Sequence, residues 1–82
     1  MVTSEQRFYL IAIYNCVNGS LSASVPINCI TSKVGNNDKK YAKKQLKRLR
    51  SEGLVLIIPR ERNKVYKLTR DGLNYIRKFI AI

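Results

Sequence analysis

Residues 39–59 read KKYAKKQLKRLRSEGLVLIIP, a basic, helix-prone stretch that gives way at Gly53 to a run of aliphatic residues stopped by Pro59. At 100° per residue, Ala42, Leu46 and Leu49 fall on one side of a helix over Lys39 to Glu52, and Lys40, Lys44, Lys47 and Ser51 fall on the other. Asn37, Tyr41, Lys43 and Arg48 flank that outer side. Seven of the twelve residues from Lys39 to Arg50 are basic, so cations spaced i+3 and i+4 repel one another and weaken the isolated helix. An anionic partner would relieve that repulsion. A helix about 10–12 Å wide fits the major groove of B-DNA, where Asn, Lys and Arg meet base edges and Lys neutralises phosphates.

Downstream, Leu54 to Ile58 and Val65 to Leu68 are extended runs of β-branched and aliphatic residues separated by the polar loop Arg60 to Lys64, the pattern of a β-hairpin. Thr69 can cap a last helix with Asp71 in its first turn, and Leu73, Ile76 and Ile80 form its inward stripe. Upstream, Asn36-Asn37-Asp38 offers a turn with side-chain caps. Before it, Pro26 suits the first turn of a short helix carrying Ile27, Ile30 and Val34 and ending at Gly35. Thr3 and Gln6 form a capping-box pattern that starts a first helix near Ser4, with Leu10, Ile13, Tyr14 and Val17 at helical spacing. Phe8, Ile11 and Ala12 widen its apolar surface beyond one stripe, more than a small monomer needs. Asn18-Gly19 ends that helix, and Ser20-Leu21-Ser22 reads as a short extended piece.

Eighty-two residues make one domain with one small core. A hydrophobic share of 45%, with four Gly and two Pro, is that of a globular chain. The longest apolar run, Phe8 to Tyr14, has seven residues, too short to span a bilayer. A cytoplasmic location is expected, the host cytoplasm if the source is viral. Sixteen Lys and Arg against five Asp and Glu leave a net charge of +11, which on so small a domain implies a polyanionic partner. Residues 1–32 hold one base, Arg7, and one acid, Glu5, while 15 bases and 4 acids lie beyond Ser32. A chain with no His and two distant cysteines lacks the material for a zinc site or a catalytic dyad, so neither an enzyme nor a cofactor is expected. Cys16 and Cys29 read most simply as small buried hydrophobes, with an intramolecular or intersubunit disulfide the alternative.

The order helix, strand, helix, helix, strand, strand, helix resembles that of a winged helix-turn-helix domain, mainly α with a small β-hairpin wing. The wording of residues 46–55, LKRLRSEGLV, is similar to the end of the recognition helix and the first wing strand of that superfamily, and residues 66–72, YKLTRDG, to its second wing strand entering the last helix. The resemblance implies a positioning helix at about 26–34, a recognition helix at 38–52, a wing at 54–68 and a C-terminal helix at 70–81. It further implies a sequence-specific transcriptional regulator of double-stranded DNA, similar to small stand-alone bacterial, archaeal or archaeal-virus members, which usually dimerise. Abundant Lys, Ile and Asn fit an A·T-rich archaeal or viral genome.

On that reading Asn37, Lys39, Lys40, Tyr41, Lys43, Lys44, Lys47 and Arg48 face DNA from the recognition helix, and Arg60, Arg62, Asn63 and Lys64 from the wing. Packing is the alternative for Tyr41. Phe8 and Ile11 on the first helix and Tyr75, Phe79 and Ile82 on the last are the candidate homodimer interface, with core filling the alternative for the last three. No membrane or small-molecule effector is indicated by the sequence. The same charge would also serve an architectural or RNA-binding protein, and the same fold a protein-interaction module.

Overall fold

In a computed structural model of the chain, residues 2–80 are described, with side chains as far as Lys78. Helix α1, Ser4–Val17, begins with the capping box expected of Thr3 and Gln6. The Gln6 N–H donates to Thr3 Oγ1 at 3.2 Å, and the Thr3 N–H donates to Gln6 Oε1 at 3.0 Å. The helix ends on Asn18, left-handed at φ 52°, a conformation that Asn tolerates better than most residues. Its unusually broad apolar surface is explained by its position: α1 packs against all three other helices and against the sheet. Tyr9, Leu10, Ala12, Ile13 and Val17 are therefore buried around several sides of the helix. The surplus left outside is Phe8, 62% exposed, with Ile11 half-buried beside it.

The expected strand at Ser20–Ser22 is not formed. Ser22 N–H and Ser20 Oγ instead close a local turn at 3.3 Å, and strand β1 is Val25–Pro26. Strand formation moves there because Val25 pairs with Tyr66 and Pro26 with Val65, long-range partners that a local pattern does not reveal. Leu21 is half-buried against the core. Pro26 precedes helix α2, Ile27–Val34, at the cap position, one residue before the first turn. Gly35 closes α2 at φ 81°, where a β-carbon would be strained.

Helix α3, Lys39–Ser51, is capped by Asp38, whose Oδ1 accepts the Tyr41 N–H at 3.1 Å. Ala42, Leu46 and Leu49 are fully buried, as the wheel requires. Burying each leucine is worth about 1.5–3 kcal/mol, against about 0.2–0.5 kcal/mol lost per like-charged neighbour pair, so tertiary packing holds the helix despite its charge. Gln45, 4% exposed, shares that inner arc.

Strands β2, Val55–Pro59, and β3, Lys64–Leu68, form an antiparallel hairpin, and the three-stranded sheet has the order β1-β3-β2. The pairs Val55 with Leu68 and Ile57 with Tyr66 face the core, and Leu56 with Lys67 faces outward. Arg60 N–H donates to the Asn63 carbonyl at 2.7 Å and closes the tip, so Lys64, read as loop, pairs with Pro59 at the end of the ladder. Helix α4, Arg70–Ile80, follows directly. Thr69 Oγ1 accepts the Gly72 N–H at 2.9 Å, the cap expected at that position.

Cys16 and Cys29 depart from the simplest reading. They are joined in a disulfide between α1 and α2. The packing of those two helices brings their Cα atoms to 6.5 Å, within the range of about 4.4–6.8 Å that a bridge spans.

Candidate nucleic-acid interface

The basic side chains of α3 stand outside because the buried arc through Ala42, Leu46 and Leu49 turns the opposite arc to solvent. Lys39, Lys40, Lys43, Lys44, Lys47 and Arg48 are all exposed. The turn before them is ordered by its own side chains, with Asp38 N–H donating to Asn36 Oδ1 at 3.0 Å, and it leaves Asn37 exposed. The wing residues Arg60, Arg62, Asn63 and Lys64 are exposed as well.

The tertiary structure divides this set. A cleft of about 400 Å³ runs between α3 and the wing, and Lys39, Lys43, Arg60, Arg62 and Lys64 lie along its walls. Five cations separated by up to 25 positions in sequence thus surround one depression together with a single carboxylate, Glu61, and the excess of positive charge focuses an attraction for anions. Lys40, Lys44, Lys47 and Arg48 do not line it and remain on the exposed surface of α3. Tyr66, buried at the base of the cleft, has its phenol pKa pushed upward by desolvation and stays neutral there.

The opposite wall is one the sequence reading missed. Pro26, Ile27 and Asn28, at the start of α2, also border the cleft, and no side chain caps that helix. Its first N–H groups are accordingly available to an acceptor, and the helix dipole favours a negative one. The signal was present in Pro26, which starts a helix without supplying a capping oxygen.

Tyr41 stands apart from the exposed residues of α3. Its ring is half-buried against the core and tilted 57° to that of Tyr9, with centroids 6.2 Å apart, within the range of an aromatic pair. Burial pushes the Tyr9 phenol pKa up, and the nearby Asp38 and Glu5 carboxylates add to the shift. Of the candidate dimer residues, Phe8 and Ile11 border shallow grooves on the outer side of α1, and Tyr75 is half-buried against the core. The Phe79 side chain and Ile82 lie outside the described residues. Among the described residues there is no group of three or more potential metal ligands, and no helix is long and apolar enough to cross a membrane.

The sequence matches no protein-family model and no curated protein. Solved structures do match. The chain is similar to BpsR of Bordetella bronchiseptica, with a TM-score of 0.79 and 16% identity over 98% of this chain. It is similar to AF1382 of Archaeoglobus fulgidus, with a TM-score of 0.75 and 21% identity over 98% of this chain and 86% of that one. It is also similar to the homodimeric winged helix-turn-helix DNA-binding domain of Mb0332 from Mycobacterium bovis, with a TM-score of 0.65 and 16% identity over 96% of this chain and 67% of that one.

The fold is a winged helix-turn-helix.

In its terms α2 and α3 are the paired helices, the loop between Pro59 and Lys64 is the wing tip, and the basic cleft lies where wing and second helix converge. The winged helix-turn-helix of this chain spans 54% of BpsR, about half of that protein's length.

Proposed function

We propose that the chain is a DNA-binding transcriptional regulator that lays α3 in the major groove, sets the wing on the adjacent backbone or minor groove, and works as a homodimer. The observation that carries this reading is the cleft in which Lys39 and Lys43 of α3 meet Arg60, Arg62 and Lys64 of the wing. A duplex docked on α3 brings a phosphate strand past that cleft. The five cations and the uncapped start of α2 then neutralise and hydrogen-bond it.

Asn37, Lys40 and Lys44, exposed in the turn and first half of α3, are the proposed base readers, since the beginning of a recognition helix approaches base edges most closely. Lys39, Lys43, Arg60, Arg62, Asn63 and Lys64 are proposed to hold the backbone. Lys47 and Arg48 extend the same surface toward flanking phosphates. Tyr41, packed on Tyr9, positions α3 in this scheme. The reading is non-catalytic. It is supported by the one-sided charge and by fold neighbours whose names describe regulated DNA binding in BpsR and a homodimeric DNA-binding domain in Mb0332.

Selection of bound duplexes from a random pool, with competition by RNA, tests it. A palindromic consensus bound far more tightly than random duplex is the expected result. Equal retention of all duplexes would favour an architectural protein, and preference for RNA would replace the reading altogether.

A further inference from the structure

A second cavity, of about 430 Å³, lies away from the basic cleft, where α1 meets the turn between α2 and α3. Its walls combine three aromatic rings, Phe8, Tyr9 and Tyr41, with the carboxylates of Glu5 and Asp38. Two of the five acidic residues of a chain with net charge +11 are therefore gathered at one depression. No Lys or Arg lines it. Arg7 and Lys33 border neighbouring grooves instead.

Tyr9 supplies an independent observation. It is only 2% exposed, and its hydroxyl has no hydrogen-bond partner among the described residues. A buried hydroxyl left unmade costs about 1–3 kcal/mol, so such atoms in folded proteins call for an explanation. Tyr9 is among the residues that line the cavity, and burial first, with the Asp38 and Glu5 carboxylates adding to it, raises its phenol pKa. Asp38 uses Oδ1 to cap α3, and its second carboxylate oxygen is left for another donor.

Each wall selects the same chemistry. Aromatic faces present negative charge and attract cations. Carboxylates attract cations and repel anions. The Tyr9 oxygen, covered in the fold and without a donor there, can accept a ligand N–H once the side chains over it move aside. A neutral apolar molecule would cover both carboxylates without pairing them, which is unfavourable.

We propose that this cavity binds a small organic cation, a primary ammonium or guanidinium group on an apolar body, with Glu5 and Asp38 holding the charge, Tyr9 accepting an N–H and the rings of Phe8 and Tyr41 covering the body. The ligand sits against the first turn of α3, at the residue that caps it. The site stands whether or not the chain binds DNA.

Titration of the full ¹⁵N-labelled chain with benzylammonium tests the proposal, with benzyl alcohol as the neutral and benzoate as the anionic counterpart of similar size. Saturable shifts around Tyr9, Asp38 and Tyr41 are expected with benzylammonium, at an affinity at least about tenfold above benzyl alcohol, equivalent to about 1.4 kcal/mol. No saturation is expected with benzoate. Asp38→Asn combined with Glu5→Gln should abolish the preference for the cation, while Asn still caps α3 because it serves as well as Asp. Tyr9→Phe removes a hydroxyl that has no partner in the fold, so it should leave folding intact and weaken benzylammonium about threefold or more. Equal binding of the three probes, no saturable binding of benzylammonium, or an unchanged affinity in Tyr9→Phe would each overturn the proposal.

Discussion

Gly72 and Leu54 meet backbone to backbone: a Cβ at Gly72 would overlap the carbonyl oxygen of Leu54. The same carbonyl accepts the Thr69 N–H at 3.2 Å, and Thr69 Oγ1 donates to the Gly53 carbonyl at 2.7 Å. The exit of α3 and the entry of α4 are thus clamped at one point, from which the wing hairpin projects.

Gly72→Ala should destabilise the protein by about 2 kcal/mol. Ala is the better helix former by about 1 kcal/mol, so a net loss would show that the contact with Leu54 outweighs propensity. Urea unfolding of the two proteins checks this, and an equal or higher midpoint in the variant would contradict it.

The Cys16–Cys29 bridge closes a loop with a sequence separation of 13. Loops of that size are stabilised by about 3 kcal/mol. Thermal unfolding with and without dithiothreitol should show a lower midpoint in the reduced protein, and Cys16→Ser with Cys29→Ser should reproduce it. A midpoint indifferent to reductant would mean the bridge is absent in solution.

Base readers and backbone anchors should separate in binding assays. Lys44→Ala is expected to change sequence preference, at about 1–3 kcal/mol for a lost base contact. Arg62→Ala should weaken operator and random duplex alike. Parallel losses for both variants on both duplexes would remove the distinction.

Phosphate neutralisation should dominate affinity. If a dimer makes about 6–10 phosphate contacts, binding falls about a thousandfold or more between 50 and 200 mM salt. A flat response, measured by fluorescence anisotropy, would exclude the cleft as the seat of affinity.

Phe8, 62% exposed on α1, is the described residue best placed to test association, because an aspartate there meets solvent in a monomer and an apolar partner in a dimer. On the proposed homodimer, sedimentation of Phe8→Asp should give a folded monomer while the unaltered protein sediments as a dimer, and two copies of α3 would no longer be held about 34 Å apart. A monomer in both cases would remove Phe8 from the proposed interface.

Much of the architecture was legible because its signals are local. The Thr3–Gln6 capping box, the Asp38 cap, the buried arc of α3 and the hairpin halves all arise from residues within one or two turns of each other, where hydrogen-bond geometry and helical spacing act directly. The exposed basic surface of α3 followed for the same reason: once Ala42, Leu46 and Leu49 are buried, Lys40, Lys44 and Lys47 have no other place.

What the tertiary structure alone decided involves partners far apart in the chain. Strand β1 formed at Val25 rather than around Leu21 because Tyr66 was there to pair with it, and Cys16 found Cys29 because two helices packed at the right height. Tyr41 turned from the exposed surface to Tyr9, and Lys39 and Lys43 joined the wing in one cleft. Side-chain spacing specifies which face of an element is buried. Which other element covers that face is chosen by the packing of the whole chain, and the two cavities exist only where those choices meet.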